Sequence, residues 1–523
     1  MQRTSVLIVG GSLVGLSASL FLATRGVAHV LLEKRPGSSP HPRAMGFTER
    51  TLEHYRAAGI GGRIPQVSAQ ARLRRVRAES LAGHWGEELP WTPGAQETPP
   101  GLFSPCTGAA IAQDTLEPIL RQAAGERGAE LRYRHELLDW HEVEDGVVAQ
   151  VVDRAAGTRY RVHACYLIAC DGADSPIRER LGIARDGVGY LRTLRSVLFR
   201  CEAADACLAR GVQQFQIEQP GLHAFLTSYG DSRWVLMFDD DRERSDEELA
   251  RAVACALGAD LPFELITTGR WEMAGRIARD YRKGRVFLAG DAAHQLPPTR
   301  GGFGANTGID DVHNLAWKLQ LVLQGTATPA LLDSYSAERQ PIGWLRHQQT
   351  FARPDYARWL RTPLQEVTLY GNAAMELGQL QRSSVIPAAG PELPPADEPD
   401  AWAGQPGTRA PHAWVRHGGK EVSTLDLFGD GFVLLSGQPQ WLVAGREVAA
   451  RLGLPLATVQ VGPDVTFAPP EEIRVRFGVG EQGAVLVRPD GVVAWRWPDA
   501  AGEAPGPAVQ LADALRTAAC LAG

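Results

Sequence analysis

The sequence predicts an α/β fold in which one domain is non-contiguous and a second, β-sheet domain is inserted into it. Three short apolar runs, at residues 5–9, 166–169 and 286–289, each end in a turn that is followed by helical sequence. Between the second and third runs, alternating strand-like segments fill much of residues 182–269. A chain of 523 residues can form several cores, so two or three domains are expected.

The first apolar run begins a βαβ unit that is typical of nucleotide binding. Its expected elements are a strand at 5–9, a turn at 10–15, a helix at 16–25 and a second strand at 27–32. Gly10 and Gly15 allow a tight turn around a pyrophosphate, although Ser12 replaces the middle glycine of the usual fingerprint. Glu33 is spaced to bind ribose hydroxyls. A glycine turn alone is equally typical of an ordinary strand–helix junction. The predicted dinucleotide contacts here are Gly10, Ser12, Leu13, Val14, Gly15, Glu33 and Lys34.

The third run supplies a second half of the same site. Gly290 and Asp291 follow a buried-type strand, so one carboxylate stands at its carboxyl end, where it can accept hydrogen bonds from a sugar alcohol. The glycines after Asp291 let backbone approach a flat ring, and a helix from Ala305 directs its N–H groups towards negative charge. Together with Glu33, this arrangement predicts FAD. The predicted contacts are Gly290, Asp291, Pro298, Gly301, Gly302, Gly304, Ala305 and Asn306.

The second run ends at Asp171, another carboxylate placed after a buried-type strand and predicted to contact the cofactor. Ser175 is expected to cap the following helix, with Pro176 at its first position and Arg178 directed towards phosphates. This pattern alone is common at strand–helix junctions.

Further segments resemble one family. Residues 306–319 and 331–341 are similar to its flavin-ring helix and the segment that follows, and residues 42–44 to its loop beside the flavin. Residues 113–117 are similar to a helix start whose Gln113 reaches the cofactor. The chain thus resembles, nearly end to end, the FAD-dependent aromatic hydroxylases of the para-hydroxybenzoate hydroxylase class. Residues 422–432 and 486–496 look most like bacterial aromatic-polyketide hydroxylases, which act on anthracycline, angucycline and tetracenomycin-type compounds.

The resemblance implies a domain plan. A Rossmann-like FAD-binding domain would comprise residues 1–180 and 270–385, with 73–104 joining the substrate lobe. Residues 181–269 would form the β-sheet substrate domain, 386–411 a linker, and 412–523 a thioredoxin-like domain. The last region has no redox dithiol, so packing or dimer support is its expected role.

The resemblance also implies a reaction. NADPH, or NADH, would act as a transient reductant of FAD, and O2 would then form a flavin C4a-hydroperoxide that hydroxylates a polycyclic aromatic polyketide in antibiotic biosynthesis. The protein would position the substrate against the flavin and exclude water from the site. Arg43 is expected to pair with a phosphate or a carbonyl oxygen of the cofactor.

The predicted wall strands carry the substrate candidates. Tyr229 or His223 would suit a base that activates a phenol, although such residues in a sheet more often serve packing. His294, beside Asp291, is expected to lie near the cofactor without a catalytic role, so no catalytic residue is predicted. The candidate substrate contacts are Phe215, Gln216, His223, Phe225, Tyr229 and Met237.

Composition excludes other classes of partner. The net charge of −6 argues against nucleic acid, and the apolar residues 5–23 are accounted for by the glycine turn rather than by a membrane or targeting segment. Seven cysteines without a C-x-x-C pair suit a reducing cytoplasm, and no metal site is predicted. The expected partners are a small aromatic substrate and, as an open alternative, a second copy in a homodimer.

Three other functions stay open. Baeyer–Villiger oxidation or epoxidation can be carried out on the same scaffold, because fold does not fix reaction. An antibiotic-inactivating monooxygenase would need the same kind of pocket. A flavin- or ligand-binding protein without turnover is the alternative from a different class, and the glycine segment before Asn306 argues against it.

Overall fold

The computed structural model describes residues 1–70, 74–90, 99, 101–298, 302–364, 367–498 and 506–521. Its helices are α1 Leu13–Thr24, α2 Glu49–Ala57, α3 Gln113–Glu126, α4 Pro176–Leu181, α5 Asp246–Leu257, α6 Phe303–Leu323, α7 Asp333–Phe351, α8 Pro354–Ala357, α9 Asn372–Leu377, α10 Pro439–Leu452, α11 Glu472–Phe477 and α12 Pro507–Ala519.

The strands are β1 Gln2–Val9, β2 His29–Glu33, β3 Gly46–Phe47, β4 Arg75–Ala78, β5 Trp85–Leu89, β6 Ala109–Ala110, β7 Glu130–Tyr133, β8 His135–Val143, β9 Gly146–Asp153, β10 Arg159–Ala169, β11 Arg185–Arg200, β12 Gln214–Gln219, β13 Leu222–Ser228, β14 Arg233–Phe238, β15 Glu264–Ala278, β16 Arg282–Lys283, β17 Val286–Leu288, β18 His294–Gln295, β19 Trp414–His417, β20 Lys420–Ser423, β21 Phe432–Ser436, β22 Leu456–Gln460, β23 Val465–Phe467, β24 Ala484–Val487 and β25 Val493–Trp497.

The first sheet joins all three apolar runs of the sequence. Its order is β16-β17-β10-β1-β2-β7, and the five strands from β17 to β7 run parallel. The central strands are buried on both faces, which is why they read as continuous apolar runs instead of alternating ones. The carboxyl ends of β1, β10 and β17 therefore meet at one edge, and the predicted mixed α/β fold is confirmed.

The second sheet has the order β18-β15-β11-β14-β13-β12-β4-β5 and is mostly antiparallel. One face packs in an apolar core that includes residues of α5. That helix begins at a capping box formed by Ser245 and Glu248. The strands β4 and β5 at one end of the sheet come from the stretch expected to join this lobe. Strand β15 extends the sheet past the predicted boundary at residue 269.

Helical structure is interrupted between residues 341 and 378. Helix α7 ends at Phe351, Arg353 adopts an extended conformation, and Pro354 begins the short helix α8. Proline disfavours helical backbone at the residue before it and cannot donate the helical hydrogen bond, so continuation through this point is disfavoured.

The C-terminal region contains a four-stranded sheet of order β22-β21-β24-β25, with α10 and α12, and a three-stranded sheet of order β20-β19-β23. Residues 378–413, all of them described, form no strand or helix beyond isolated bridges. This stretch is nevertheless packed: Trp402 is buried and its Nε1 donates to the carbonyl of Gly378 at 2.8 Å. The expected linker is thus a structured connection.

Candidate cofactor and substrate site

The first glycine turn brings β1, β10 and α1 into close contact. Gly10 has a φ of +108°, and a Cβ added there would lie 2.1 Å from the carbonyl oxygen of Cys170. A Cβ at Gly15 would lie 1.9 Å from the carbonyl oxygen of Gly10. Only glycine fits at either position without backbone movement. The turn therefore directs the unpaired N–H groups at the start of α1 to the carboxyl edge of the sheet, where they favour a phosphate.

Ser12, which replaces the usual middle glycine, has structural partners. Its Oγ donates to Glu117 Oε1 at 2.8 Å and accepts from Gln113 Nε2 at 2.9 Å. Gln113 Oε1 in turn accepts from the backbone N–H of Arg43 at 3.3 Å. The serine thus joins the turn, the start of α3 and the loop at residues 42–44, all of which the sequence assigned to the cofactor.

Glu33 closes the turn from the end of β2. Its Oε2 accepts from the backbone N–H of Gly11 at 2.7 Å, and its Oε1 accepts from that of Arg35 at 2.8 Å. Each carboxylate oxygen has a second lone pair for a hydroxyl group, so ribose binding remains compatible with these contacts. Lys34 is exposed beside it.

The connection between β10 and α4 mainly stabilises the start of α4. Asp171 Oδ2 accepts from the backbone N–H of Ile177 at 3.3 Å, and Ser175 caps α4 as the sequence predicts. Burial raises the pKa of Asp171. The guanidinium of Arg178 donates to the carbonyls of Ala173 and Ala292 at 3.0 and 3.4 Å. The expectation that Arg178 points towards phosphates is not supported, because its Nη1 donates to these two carbonyls and the residue does not line the cavity.

The turn after β17 packs directly on the glycine turn between β1 and α1. Gly290 has a φ of +60°, and a Cβ there would approach Val14 Cγ2 to 2.9 Å. Asp311, fully buried on α6, holds the following residues: His294 Nε2 lies 2.7 Å from its Oδ2, and Arg339 Nε donates to its Oδ1 at 2.8 Å. His294 is itself fully buried and supports this turn, while Asp291 faces the cavity described next.

Asn306 fixes the start of α6 to the loop before α2. Its Oδ1 accepts from the backbone N–H of Thr48 at 3.1 Å and from Thr51 Oγ1 at 2.6 Å. Its Nδ2 donates to the carbonyls of Gly46 and Gly302 at 3.2 and 2.9 Å. Its amide thus shapes the backbone on both sides of the site, and the contact of Asn306 with the cofactor stays a prediction.

A cavity of about 1360 Å³ runs from the glycine turns to the second sheet. The described cofactor candidates that line it are Ser12, Leu13, Val14, Gly15, Arg43, Gln113, Asp291, Pro298, Gly302, Gly304 and Ala305. Those that do not line it are Gly10, Glu33, Lys34, Asp171, Gly290 and Asn306. Gly301 lies outside the described residues.

These features fit FAD. The backbone cradle around Gly10 and Gly15 has no room for a Cβ, an α-helix begins at the turn, and the Asp291 carboxylate stands further along the same cavity. No group of His, Cys, Asp or Glu in the described ranges could hold a metal ion, and no helix there is long and apolar enough to span a membrane.

The second sheet forms the other wall of the cavity. Gln216, His223, Phe225, Tyr229 and Met237 all line it. The assignment of Phe215 to the pocket is wrong: its ring is fully buried in the opposite core, 4.9 Å from that of Trp85. Phe215 and Gln216 are consecutive in β12, and consecutive side chains of a strand point to opposite faces.

Several wall residues were missed by the sequence analysis. On β15, β11 and β14 the wall is mainly apolar, although Arg192, Arg270 and Glu272 also line it. On β12 and β4 it becomes polar, with Arg75 Nε donating to Gln214 Oε1 at 3.0 Å. Alternation along each strand was the signal that could have identified them. The additional apolar and polar wall residues are Leu194, Val235, Trp271, Met273, Gln214 and Arg75.

Tyr229 and Glu49 are titratable groups of the lining whose pKa is shifted. Burial raises the pKa of Tyr229, whose hydroxyl donates to the carbonyl of Pro42 at 2.8 Å, so its phenol stays neutral and is a poor base. Burial also raises the pKa of Glu49 to about 7, despite a hydrogen bond of 2.8 Å from the backbone N–H of Gly101. Glu49 therefore changes charge near neutral pH beside the cavity.

Fold and site together define a flavoprotein that binds FAD. A family model described as FAD binding domain matches residues 3–350, and one described as aromatic-ring hydroxylase, C-terminal, matches residues 403–519. The chain belongs to the FAD-dependent aromatic-ring hydroxylases, and it is a flavoprotein monooxygenase.

Individual relatives span almost the whole chain. Tetracenomycin A2 monooxygenase-dioxygenase of Streptomyces glaucescens is 39% identical, covering 96% of this chain and 95% of the relative. The 4-methyl-5-nitrocatechol 5-monooxygenase of Burkholderia sp is 37% identical, covering 98% and 97%. A crystal structure of aklavinone-11 hydroxylase in a ternary complex with FAD and aklavinone superposes with a TM-score of 0.87 at 34% identity, covering 99% of each chain.

Proposed function

We propose that this protein uses NAD(P)H and O2 to hydroxylate a polycyclic aromatic substrate of the polyketide type. The observation that carries the proposal is the continuity of one cavity, which joins the FAD cradle to a broad apolar wall. The tetracenomycin and aklavinone names of the relatives support the same class of substrate.

The dimensions of the cavity favour a large substrate. Ligand pockets commonly hold about 300–1,000 Å³, and this cavity of about 1360 Å³ leaves room for a second ligand beside a dinucleotide. The wall residues extend across six neighbouring strands, from β15 to β4. With strands about 4.8 Å apart, this wall is roughly 24 Å wide. A flat molecule of several fused rings can be covered by such a surface.

Bound FAD supplies reducing equivalents taken from NAD(P)H and the activation of O2. The chain contributes the rest. The turn at Gly10 to Gly15 holds the pyrophosphate, Glu33 the ribose and Asp291 the sugar alcohol of the cofactor. The apolar side chains of β11, β14 and β15 exclude water and orient the aromatic rings. The hydroxyl of Tyr229 keeps the loop at Pro42 against the wall by donating a hydrogen bond to that carbonyl.

A single-ring substrate is the second candidate, because the nitrocatechol monooxygenase matches as much of the chain as the polyketide enzymes do. A catechol would leave most of the wall uncovered, so it should bind weakly. The same scaffold can also support oxygen insertion beside a ketone, epoxidation or inactivation of an antibiotic. These reactions are distinguished by their products.

The test measures NADPH and NADH oxidation and O2 uptake by the purified yellow protein. Anthraquinones, angucyclinones and naphthacenequinones are compared with 4-methylcatechol, and products formed under ¹⁸O2 are identified by mass. We expect oxidation of the nicotinamide to be stimulated by a polycyclic compound that gains one labelled oxygen on an intact ring. Stimulation by the catechol alone would overturn the substrate class. If neither NADPH nor NADH reduces the bound FAD in the presence of any of the aromatic compounds, the non-catalytic alternative is favoured.

A further inference from the structure

The structure assigns a positioning role to the C-terminal region: residues 409–490 hold the FAD cradle in shape by anchoring three helices that begin at the cavity. The principal anchor is a buried ionic cluster, called here the Glu338 cluster. Its members are Asn314 and Lys318 of α6, Glu338 of α7, Gln381, and Arg488 and Asp490 at the β24–β25 turn.

The Glu338 cluster contains two acids and two cations, so it is electrically balanced. Arg488 donates to both oxygens of Glu338, at 2.8 and 2.9 Å, and through its Nε to Asp490 Oδ1 at 3.0 Å. Lys318 Nζ donates to Glu338 Oε2 at 2.8 Å. Glu338, Lys318 and Arg488 are each no more than 1% exposed. Charges removed from water in this way need every partner in place.

Protonation follows this geometry. Although burial opposes ionisation, Arg488 and Lys318 hold the pKa of Glu338 well below its usual value. Burial lowers the pKa of Lys318 to about 8, against the attraction of Glu338. The carboxylate and both cations are therefore charged at neutral pH, and the fork of Arg488 fixes the direction of α7 relative to the β24–β25 turn.

Helix α6 connects this cluster to the cofactor. Its first residues, Phe303 to Ala305, line the cavity, and Lys318 lies four turns further along the same helix. Asn314 Nδ2 donates to Glu338 Oε2 at 2.7 Å and to Asp490 Oδ2 at 3.3 Å. A rigid helix transmits a displacement at one end to the other, so loss of the cluster should move the flavin end of the cavity.

Two other helices show the same arrangement. Helix α1 begins at the glycine turn, and Arg25 at its C-cap donates to the carbonyls of Gly429 and Pro489 at 3.1 and 3.0 Å. Helix α2 begins at Glu49, which lines the cavity, and its Glu53 accepts from Arg409 Nε at 2.8 Å with both residues buried. Although burial opposes it, Arg409 holds the pKa of Glu53 at about 2.

The same interface supplies a matched control. Arg56 of α2 forms a two-bond ion pair with Asp426, at 2.7 and 2.8 Å, but the two side chains are 41% and 26% exposed. Exposed ion pairs contribute little to stability, because water already solvates both charges. Substitution of Arg56 therefore tests the interface without leaving a buried charge unpaired.

The experiment compares FAD binding by the full-length protein carrying Glu338→Gln together with Lys318→Met, and by Arg56→Ala. The double substitution removes one charge of each sign and leaves Arg488 paired with Asp490. We expect the FAD dissociation constant, measured by flavin fluorescence, to rise at least tenfold for the double variant and less than twofold for Arg56→Ala. We also expect the gain in melting temperature on adding FAD to shrink, since ligand stabilisation follows affinity.

A purely structural role predicts something else. The melting temperature would then fall by the same amount with and without FAD, while the dissociation constant stayed within twofold of the wild-type value, and this result would overturn the inference. If the double variant does not fold, Asn314→Ala, which removes no charge, decides the question. An increase of about threefold in its FAD dissociation constant supports the positioning role, and an unchanged constant excludes it. The inference depends on FAD binding alone, so it is independent of the substrate proposed above.

Discussion

The two ends of the cavity are built in different ways. The flavin end is made of backbone turns and helix starts, and its key positions are glycines whose missing Cβ atoms leave room for close packing. The substrate end is made of side chains from strands as far apart in sequence as β4 and β15. Substitutions at the first end should therefore affect cofactor binding in an all-or-none manner, while those at the second should change affinity by degrees.

The largest effect is expected at Gly15. Its substitution by alanine places a Cβ 1.9 Å from the Gly10 carbonyl oxygen, so the turn must open and FAD retention, read as the ratio of flavin to protein absorbance, should be lost. Gly125→Ala in α3 is the control, because nothing lies within 4 Å of the added Cβ. It should keep FAD and gain about 0.5–1 kcal/mol of stability from helix propensity. Full FAD retention by Gly15→Ala would show that the turn is not a cradle.

The two faces of β12 separate folding from substrate binding. Phe215→Ala should lower the free energy of unfolding by about 3–5 kcal/mol, because it empties a filled core site, and should leave the KM for substrate unchanged in the folded fraction. Gln216→Ala, one residue further on the cavity face, should do the reverse, changing KM with little effect on denaturant unfolding. A change in KM with Phe215→Ala alone would restore that ring to the pocket.

Glu49 should make the folding stability of the protein depend on pH. Its pKa is raised to about 7 by burial and by the charges of Glu53 and Glu376, against the opposing charge of Arg409. The unfolded chain ionises near the ordinary value of 4.5, so stability falls as pH rises from about 4.5 to 7 and is constant above that range.

The expected loss over this range is about 3 kcal/mol. Glu49→Gln should remove that slope and be more stable than the wild type at pH 8, as measured by denaturant unfolding at several pH values. Parallel curves for the two proteins would show that the carboxyl group is solvated.

The smallest effect is expected for a single wall residue. Phe225→Ala removes one ring from a wide surface, so KM for a polycyclic substrate should rise about tenfold, equivalent to about 1.4 kcal/mol, with FAD binding unchanged. His223→Ala, on the same strand and exposed, should alter KM less than twofold. If FAD binding fell with Phe225→Ala, the two ends of the cavity would not be separable.

Much of the flavin end could be predicted from sequence because its signals are local. The strand, the turn and the helix start follow one another within about fifteen residues, and Glu33 and Asp291 each stand at a fixed place after a strand. Side-chain direction was less predictable: Asn306 and Arg178 have the residue types of ligands, but Asn306 bonds to backbone groups and Thr51, and Arg178 Nη1 bonds to two carbonyls. No spacing rule shows where a side chain finds its partner.

The sequence by itself determined the order of elements, the nucleotide-binding turns, the resemblance to aromatic hydroxylases and the region that supplies the substrate wall. Only the tertiary structure decided which face of each wall strand meets the cavity, which carboxylates support the turns and how residues 409–490 anchor α1, α2 and α6. The physical reason is range: backbone conformation depends on neighbours in sequence, whereas burial, pKa and ion pairing depend on residues that meet only after folding. Glu338 and Arg488, 150 positions apart and fully buried together, show this most clearly.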